Sequence, residues 1–181
     1  MGRTGHRDHA GVSEVTSPTL RLAKPDDLPA IVALLEAAHL PAIELELHLD
    51  HVVVAELDAR VVACGGLEAS PEAAAGLVRS MAVEESLRGR DIGTAVLEWV
   101  EARAAALGIT RLFLFTVGAP EFYRRYGYED AELDDFPEAL RGSAQYRFVR
   151  VRGKEWGIRA MKKTPHEESE SSPSPSERER G

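Results

Sequence analysis

Residues 77–116 constrain this chain more than any other stretch. They read L-V-R-S-M-A-V-E-E-S-L-R-G-R-D-I-G-T-A-V-L-E-W-V-E-A-R-A-A-A-L-G-I-T-R-L-F-L-F-T. An apolar run (77–83) is followed by a polar loop (84–93), a long helical pattern closed by Gly108, and a second apolar run (112–115). Strand, loop, helix and strand at this spacing make a βαβ crossover, which places two parallel strands in one sheet. In the helix, Ile92, Ala95, Val96, Trp99, Val100, Ala106 and Leu107 form the predicted apolar stripe. Asp91 is the expected cap, its charge suited to the positive helix end, and Gly108 the expected left-handed stop. Arg103 projects onto the centre of the stripe, close enough to the helix end for its stem to snorkel outward.

The loop offers the chemistry. Arg88-Gly89-Arg90-Asp91-Ile92-Gly93-Thr94 leaves a strand and enters a helix. Unpaired N–H groups at a helix start bind anions, glycine admits a phosphate closely, and two arginines add positive charge. A pyrophosphate site and an ordinary exposed turn both fit the loop taken alone. No Gly-Lys-Ser/Thr follows, which excludes a nucleotide-triphosphate loop, and G-x-G-x-x-G is absent. The formal net charge of −8 sets the two arginines against a negative background and argues against a general nucleic-acid or anionic-membrane binder.

The chain's 181 residues suffice for one domain with a substantial core. Its single cysteine, Cys64, excludes an intramolecular disulfide and reads as a small core residue. No apolar run approaches a membrane span and the N-terminus lacks a signal-peptide core, so a cytoplasmic protein is expected. Residues 1–18 lack periodicity and 163–181 hold no apolar residue; both are expected to be disordered, flanking a domain at 19–162. His6 and His9, like His48 and His51, are weak as metal motifs, and no metal is expected.

Between these ends the expected elements are a first strand (19–23), a helix (25–38) with Leu28, Ile31, Val32 and Leu35 on one face, and a short helix (40–49). A hairpin follows, with strands 51–56 and 60–67. A family resemblance, carried by the motifs below, implies that the short helix lies beside a substrate pocket, with Glu44, Glu46 and His48 candidates to face the substrate. After the βαβ unit, 129–137 reads as an acidic exposed loop, 138–143 as a helical turn, and 146–151 and 156–161 as two strands. These last two apolar runs are candidates for a homodimer interface.

The stretch resembles motif A of the GNAT superfamily of acetyl-CoA-dependent acetyltransferases, whose loop reads Arg/Gln-x-x-Gly-x-Gly/Ala. Arg88 and Gly93 match its ends, while Asp91 replaces the middle glycine. Glu121-Phe122-Tyr123-Arg124-Arg125-Tyr126-Gly127-Tyr128 is similar to the family's Phe-Tyr-x-x-x-Gly-Phe segment. Cys64-Gly65-Gly66-Leu67-Glu68, the segment from Val78 to Val83 and the segment from Ala139 to Tyr146 resemble the branch encoded beside arsenic-resistance genes. The resemblance implies an α/β fold: a mixed, mainly antiparallel sheet with a splayed parallel strand pair and helices on both faces. It implies acetyl-CoA held by Met81, Ala82, Val83, Arg88, Gly89, Arg90, Asp91, Ile92, Gly93 and Thr94. Tyr123 would protonate the departing thiolate. Glu68 would be the base, acting directly or through water, with Glu84 as the alternative. The acceptor would be a small-molecule primary amine, an amino acid or an organoarsenical analogue, met by Arg79, Ser80, Arg141 and Ser143. A protein N-acetyltransferase and a non-catalytic acyl-CoA sensor, kept open by Asp91, are the rivals.

Overall fold

The structure, a computed structural model, describes residues 16–165. His6, His9 and the tail beyond 165 lie outside the described residues. The chain forms two compact units, Met1–Glu68 with Val78–Arg103, and Ala69–Leu77 with Ala104–Gly181. The strand order is β1-β2-β3-β4-β5-β7-β6. Strands β3 (Arg60–Ser70) and β4 (Ala75–Val83) contribute to both units. The β4–β5 pair is parallel in an otherwise mainly antiparallel sheet, as expected.

In the first unit, β1 (Thr19–Leu22) pairs antiparallel with β2 (Val52–Leu57), and β2 with β3. The β2–β3 turn is tight because Asp58 and Ala59 both adopt positive φ (50° and 59°), the type I′ geometry that matches strand twist. Helix α1 (Leu28–Ala37) buries Ile31 and Leu35 against Leu45, Val52, Val54, Cys64 and Ala82. The predicted short helix at 40–49 is instead a 3₁₀ segment, Leu45–His51, preceded by irregular chain with Glu44 at φ 55°. Gly65 marks the opposite sheet face. A Cβ there would sit 2.5 Å from Met81 Sδ and Val96 Cγ1, so the missing side chain lets helix α2 (Ile92–Ala106) lie close on the strand.

Arg21 ties the start of this unit together. Its Nη1 lies 2.7 Å from Asp27 Oδ2 and its Nη2 2.7 Å from Glu56 Oε2. Asp27 also accepts from the Lys24 N–H at 2.7 Å. The Arg21 hydrogen bond, opposed by burial, brings the Asp27 carboxyl down to about 2 from 3.8. Between these values the unfolded chain binds more protons than the native one, so stability falls as pH drops from about 4 towards 2. Asp27→Asn should therefore lose about 2 kcal/mol at neutral pH and flatten that acid limb, read by urea unfolding at pH 7, 4 and 3.

Helix α2 confirms the crossover and corrects its stripe. Ile92, Val96, Leu97, Val100 and Ala104 are buried, while Ala106 is exposed. Four-residue steps from Ile92 define the inner face, and Arg103 lies beside it with Nε donating to His51 Nδ1 at 3.2 Å. Gly108 stops the helix at φ 74°: the Ile109 N–H reaches the Ala104 carbonyl and the Gly108 N–H that of Ala105, both at 3.0 Å. That is the Schellman pattern.

In the second unit, β5 (Arg111–Thr116) pairs antiparallel with β7 (Arg159–Lys163), and β7 with β6 (Glu129–Ala131). Three expectations change here. Residues 146–151 are not a strand but lie in helix α5 (Ala144–Arg152), because Ser143 caps it and the three-residue step from Tyr146 to Val149 buries both. The last strand begins at Arg159, since the chain turns through Gly157 at φ 64°, and it includes Lys163. The acidic stretch after Tyr128 contributes β6 rather than loop alone. Short helices α3 (Pro120–Arg124) and α4 (Glu138–Arg141) complete the unit. Its core gathers Ala75, Leu77, Phe113, Phe136, Leu140 and Tyr146. Phe136 is central, 4.6 Å from the Phe113 centroid, 4.9 Å from Phe115 and 5.4 Å from Tyr146. Among the described residues no helix is long and apolar enough to cross a membrane.

Candidate active site

The loop between β4 and α2 takes the geometry of an anion cradle. Gly89 (φ 78°) and Asp91 (φ 61°) have positive φ, while Arg90 and Ile92 do not. Alternating signs turn successive N–H groups to one side, the concavity called a nest. Among the described residues, no backbone carbonyl accepts from the N–H groups of Gly89, Arg90 or Asp91. The first helical bond, Ala95 N–H to Asp91 C=O at 3.1 Å, leaves the helix start pointing the same resource outward. Arg88 and Arg90 are exposed, and Arg88 Nε donates to the Val83 carbonyl at 3.2 Å, folding the loop back on the strand end. These residues fit a pyrophosphate. Asp91 sits where a glycine would be unstrained, in the left-handed region that an aspartate tolerates better than most residues. Asp91 stands at the expected cap position, its carbonyl accepting the first helical bond, with the φ of a nest residue.

Strand β4 runs unbroken from Ala75 to Val83, but Ser80 within it takes a φ of 56°. Around Ser80 the side chains change face. Arg79 Cγ lies 3.7 Å from where a Gly66 Cβ would be, and Ala82 joins the α1-side core, while Met81 Sδ meets the Gly65 side under α2. Cys64 Sγ donates to the Ser80 carbonyl at 3.2 Å, and burial pushes its thiol up to about 12, as befits a core residue.

On the α1 face, Glu68, Arg79 and His48 meet. The Arg79 side chain has no exposed surface. Its Nη1 is 3.3 Å from Glu68 Oε2, its Nε 3.3 Å from Ser80 Oγ, and its Nη2 donates to the Ile43 carbonyl. His48 Nε2 lies 3.6 Å from Glu68 Oε2. Burial, only partly offset by Glu68, holds the His48 imidazole below its ordinary value. His51 is likewise held low, by burial and then Arg103. The two histidines thus face different partners. Glu84, the alternative base, is engaged by Arg60 and by Ser86 Oγ at 2.9 Å, and the Arg60 hydrogen bond holds it below the usual carboxylate range.

In the second unit, Tyr123 is buried, its ring edge-on to Phe122 at 5.1 Å and to Tyr128 at 5.7 Å. Burial raises its phenol above the ordinary value, so it stays protonated. Arg141 is exposed; its Nε donates to the Phe136 carbonyl at 2.9 Å and its Nη2 to that of Asp134 at 3.0 Å. Ser143 is buried and its Oγ accepts from the Gln145 N–H. A cleft lined by Thr110, Arg111, Gly127, Glu129 and Lys162 contains none of the expected site residues. The pairing of His48 with Glu68 and the grip of Arg79 on Ile43 carried no local sequence signal, since these residues lie 20 and 36 positions apart and meet only through the fold.

Residues 48–130 match the acetyltransferase (GNAT) domain model. The chain is 27% identical over 150 residues to an amino-acid acetyltransferase of Pasteurella multocida, covering 78% of this chain and 34% of the relative. It is 31% identical over 144 residues to that of Ralstonia nicotianae, covering 74% and 32%. It therefore spans about a third of the length of these relatives. The N-acetylglutamate synthase of Neisseria gonorrhoeae, solved with coenzyme A and N-acetyl-glutamate, superposes with a TM-score of 0.69 at 25% identity, over 83% of this chain and 36% of that one. A GNAT-family acetyltransferase of Staphylococcus aureus, 14% identical, shares the fold with a TM-score of 0.68 over 82% of this chain and 99% of its own. The fold is the mixed α/β GNAT fold, and GNAT domains use acetyl-CoA as co-substrate.

Proposed function

We propose that the chain, a GNAT fold, is an acetyl-CoA-dependent N-acetyltransferase whose acceptor is the primary amine of a small amino acid. The observation that carries this reading is the nest at Gly89–Asp91 opening helix α2, in a chain whose residues 48–130 match the family's domain. The amino-acid part rests on the relatives, which are amino-acid acetyltransferases.

Bound acetyl-CoA supplies the thioester that the amine attacks. The N–H groups of residues 89–93, with Arg88 and Arg90, neutralise and hold its pyrophosphate. The backbone at Met81, Ala82 and Val83 orients the arm and polarises the carbonyl. Glu68 supplies the negative charge on the path of the ammonium proton, and Tyr123 gives a proton to the leaving thiolate. Ser80 and Arg79 act through Glu68 and the chain around Ile43, and Arg141 and Ser143 are proposed for the acceptor's anionic groups. An organoarsenical amino acid falls in the same acceptor class, with a tetrahedral oxyanion suited to arginine.

The test is acetyl-CoA calorimetry followed by a thiol-release screen of free amino acids, an arsinate-bearing amino acid and N-terminal peptides. Micromolar binding with turnover on a free amino acid supports the reading. Turnover on peptides alone favours a protein-modifying enzyme; binding with no turnover favours a sensor. Asp91→Gly, run in parallel, should stabilise the protein by about 1 kcal/mol through relief of the left-handed backbone and tighten acetyl-CoA binding by removing a carboxylate from the nest. Weaker binding in that variant would show that Asp91 helps to build the cradle.

A further inference from the structure

The cluster of His48, Glu68 and Arg79 contains a division of labour that the proposed function does not assign. Glu68 lies between two nitrogen groups, His48 Nε2 at 3.6 Å and Arg79 Nη1 at 3.3 Å, both measured to the same oxygen, Oε2. Arg79 is sealed from solvent, whereas the side chains of His48 and Glu68 keep 20% and 16% of their surface. If Glu68 took up a proton, a fully buried guanidinium would lose its counter-ion, which disfavours Glu68 as the proton store. His48 has the opposite balance. Its neutral imidazole carries a lone pair, and the imidazolium formed on protonation lies beside a carboxylate already fixed in place. The groups acting on it from the surrounding elements are Glu68, Arg79, Glu44 and His51; the two carboxylates favour its charged form, and burial, Arg79 and His51 oppose it.

We propose that His48 accepts the proton of the acceptor's ammonium, and that Glu68, held by Arg79, is the positioning residue that orients the imidazole. This rests on the acetyltransferase reading. One ammonium N–H bond breaks, its electron pair stays on the amine nitrogen, and the proton goes to the imidazole. The amine then forms the C–N bond to the acyl carbon as the C–S bond breaks. The thiolate takes a proton from Tyr123, the acylated nitrogen gives up its remaining extra proton through water to restore the Tyr123 phenol, and His48 releases its own to water before the next cycle.

The experiment compares wild type, His48→Gln, His48→Asn and Glu68→Gln with two acceptors at saturating acetyl-CoA. L-Glutamate arrives as an ammonium; aminooxyacetate carries a nucleophilic nitrogen that is unprotonated at neutral pH. Both His48 variants should lose about 100-fold in kcat/KM with L-glutamate and less than about threefold with aminooxyacetate. Wild-type kcat/KM for L-glutamate should fall on an acid limb below the ordinary imidazole value of 6.5, a limb absent in His48→Gln and moved lower in Glu68→Gln. Equal losses on both acceptors, or an acid limb that survives in His48→Gln, would overturn the assignment while leaving the acetyltransferase reading standing. Acetyl-CoA binding by wild type with no thiol release from either acceptor or from the wider screen would overturn both. Unchanged acetyl-CoA calorimetry in the His48 variants confirms that they are folded.

Discussion

Arg79→Ala should cost the first unit about 3–5 kcal/mol of stability, the range for breaking a buried charge pair from one side. The Arg79 side chain has no exposed surface and serves three partners: Glu68, Ser80 Oγ and the Ile43 carbonyl. Alanine leaves Glu68 without its buried counter-charge, the Ile43 carbonyl without this donor, and a cavity beside Gly66. The loss can be read by urea unfolding followed through Trp99, which lies in this unit, with Trp156→Phe removing the signal of the other. A double variant, Arg79→Met with Glu68→Gln, should lose clearly less than the sum of the singles, because removing both charges leaves neither orphaned. An Arg79→Ala protein within about 1 kcal/mol of wild type would mean that water replaces the guanidinium at little cost and that the 40s chain is not held by it.

The crossover was readable because its signals are local. An apolar run, a glycine loop, a helical repeat and a terminal glycine each report on their own neighbourhood, and residues 77–116 contain all four. Helix α5 was misread for a related reason. Tyr146, Phe148, Val149 and Val151 satisfy both a period of two and a step of three, and only the cap at Ser143 and the burial of Tyr146 with Val149 separate the two. The stripe of α2 slipped because alanines at 95, 104 and 106 look alike in sequence, whereas the fold buries Ala104 and exposes Ala106. In the loop before α2 the glycines were legible and the handedness at Asp91 was not, since an aspartate at positive φ follows no composition rule. The faces of β4 were hidden altogether. Simple alternation sends residues 79 and 81 to the same side, whereas with Ser80 at positive φ they lie on opposite sides, Arg79 with Glu68 and Met81 under α2.

Tyr123→Phe should lower kcat by about 100-fold, the low end of the range for general acid catalysis, because a thiolate is a fairly good leaving group even without a proton donor. The substitution removes one oxygen and keeps the ring, which packs edge-on to Phe122 at 5.1 Å and to Tyr128 at 5.7 Å. Stability should therefore change by less than about 1 kcal/mol, and acetyl-CoA affinity should hold, so the defect falls on kcat rather than on KM. Burial keeps the phenol protonated above its ordinary range, so the wild-type rate should show no alkaline loss from Tyr123 below pH 10. The decisive comparison uses an acetyl thioester of a more acidic thiol. A leaving group that needs no proton makes the acid redundant, and the variant should then approach wild type. A defect of the same size with both thioesters would place Tyr123 in packing or orientation instead of proton transfer.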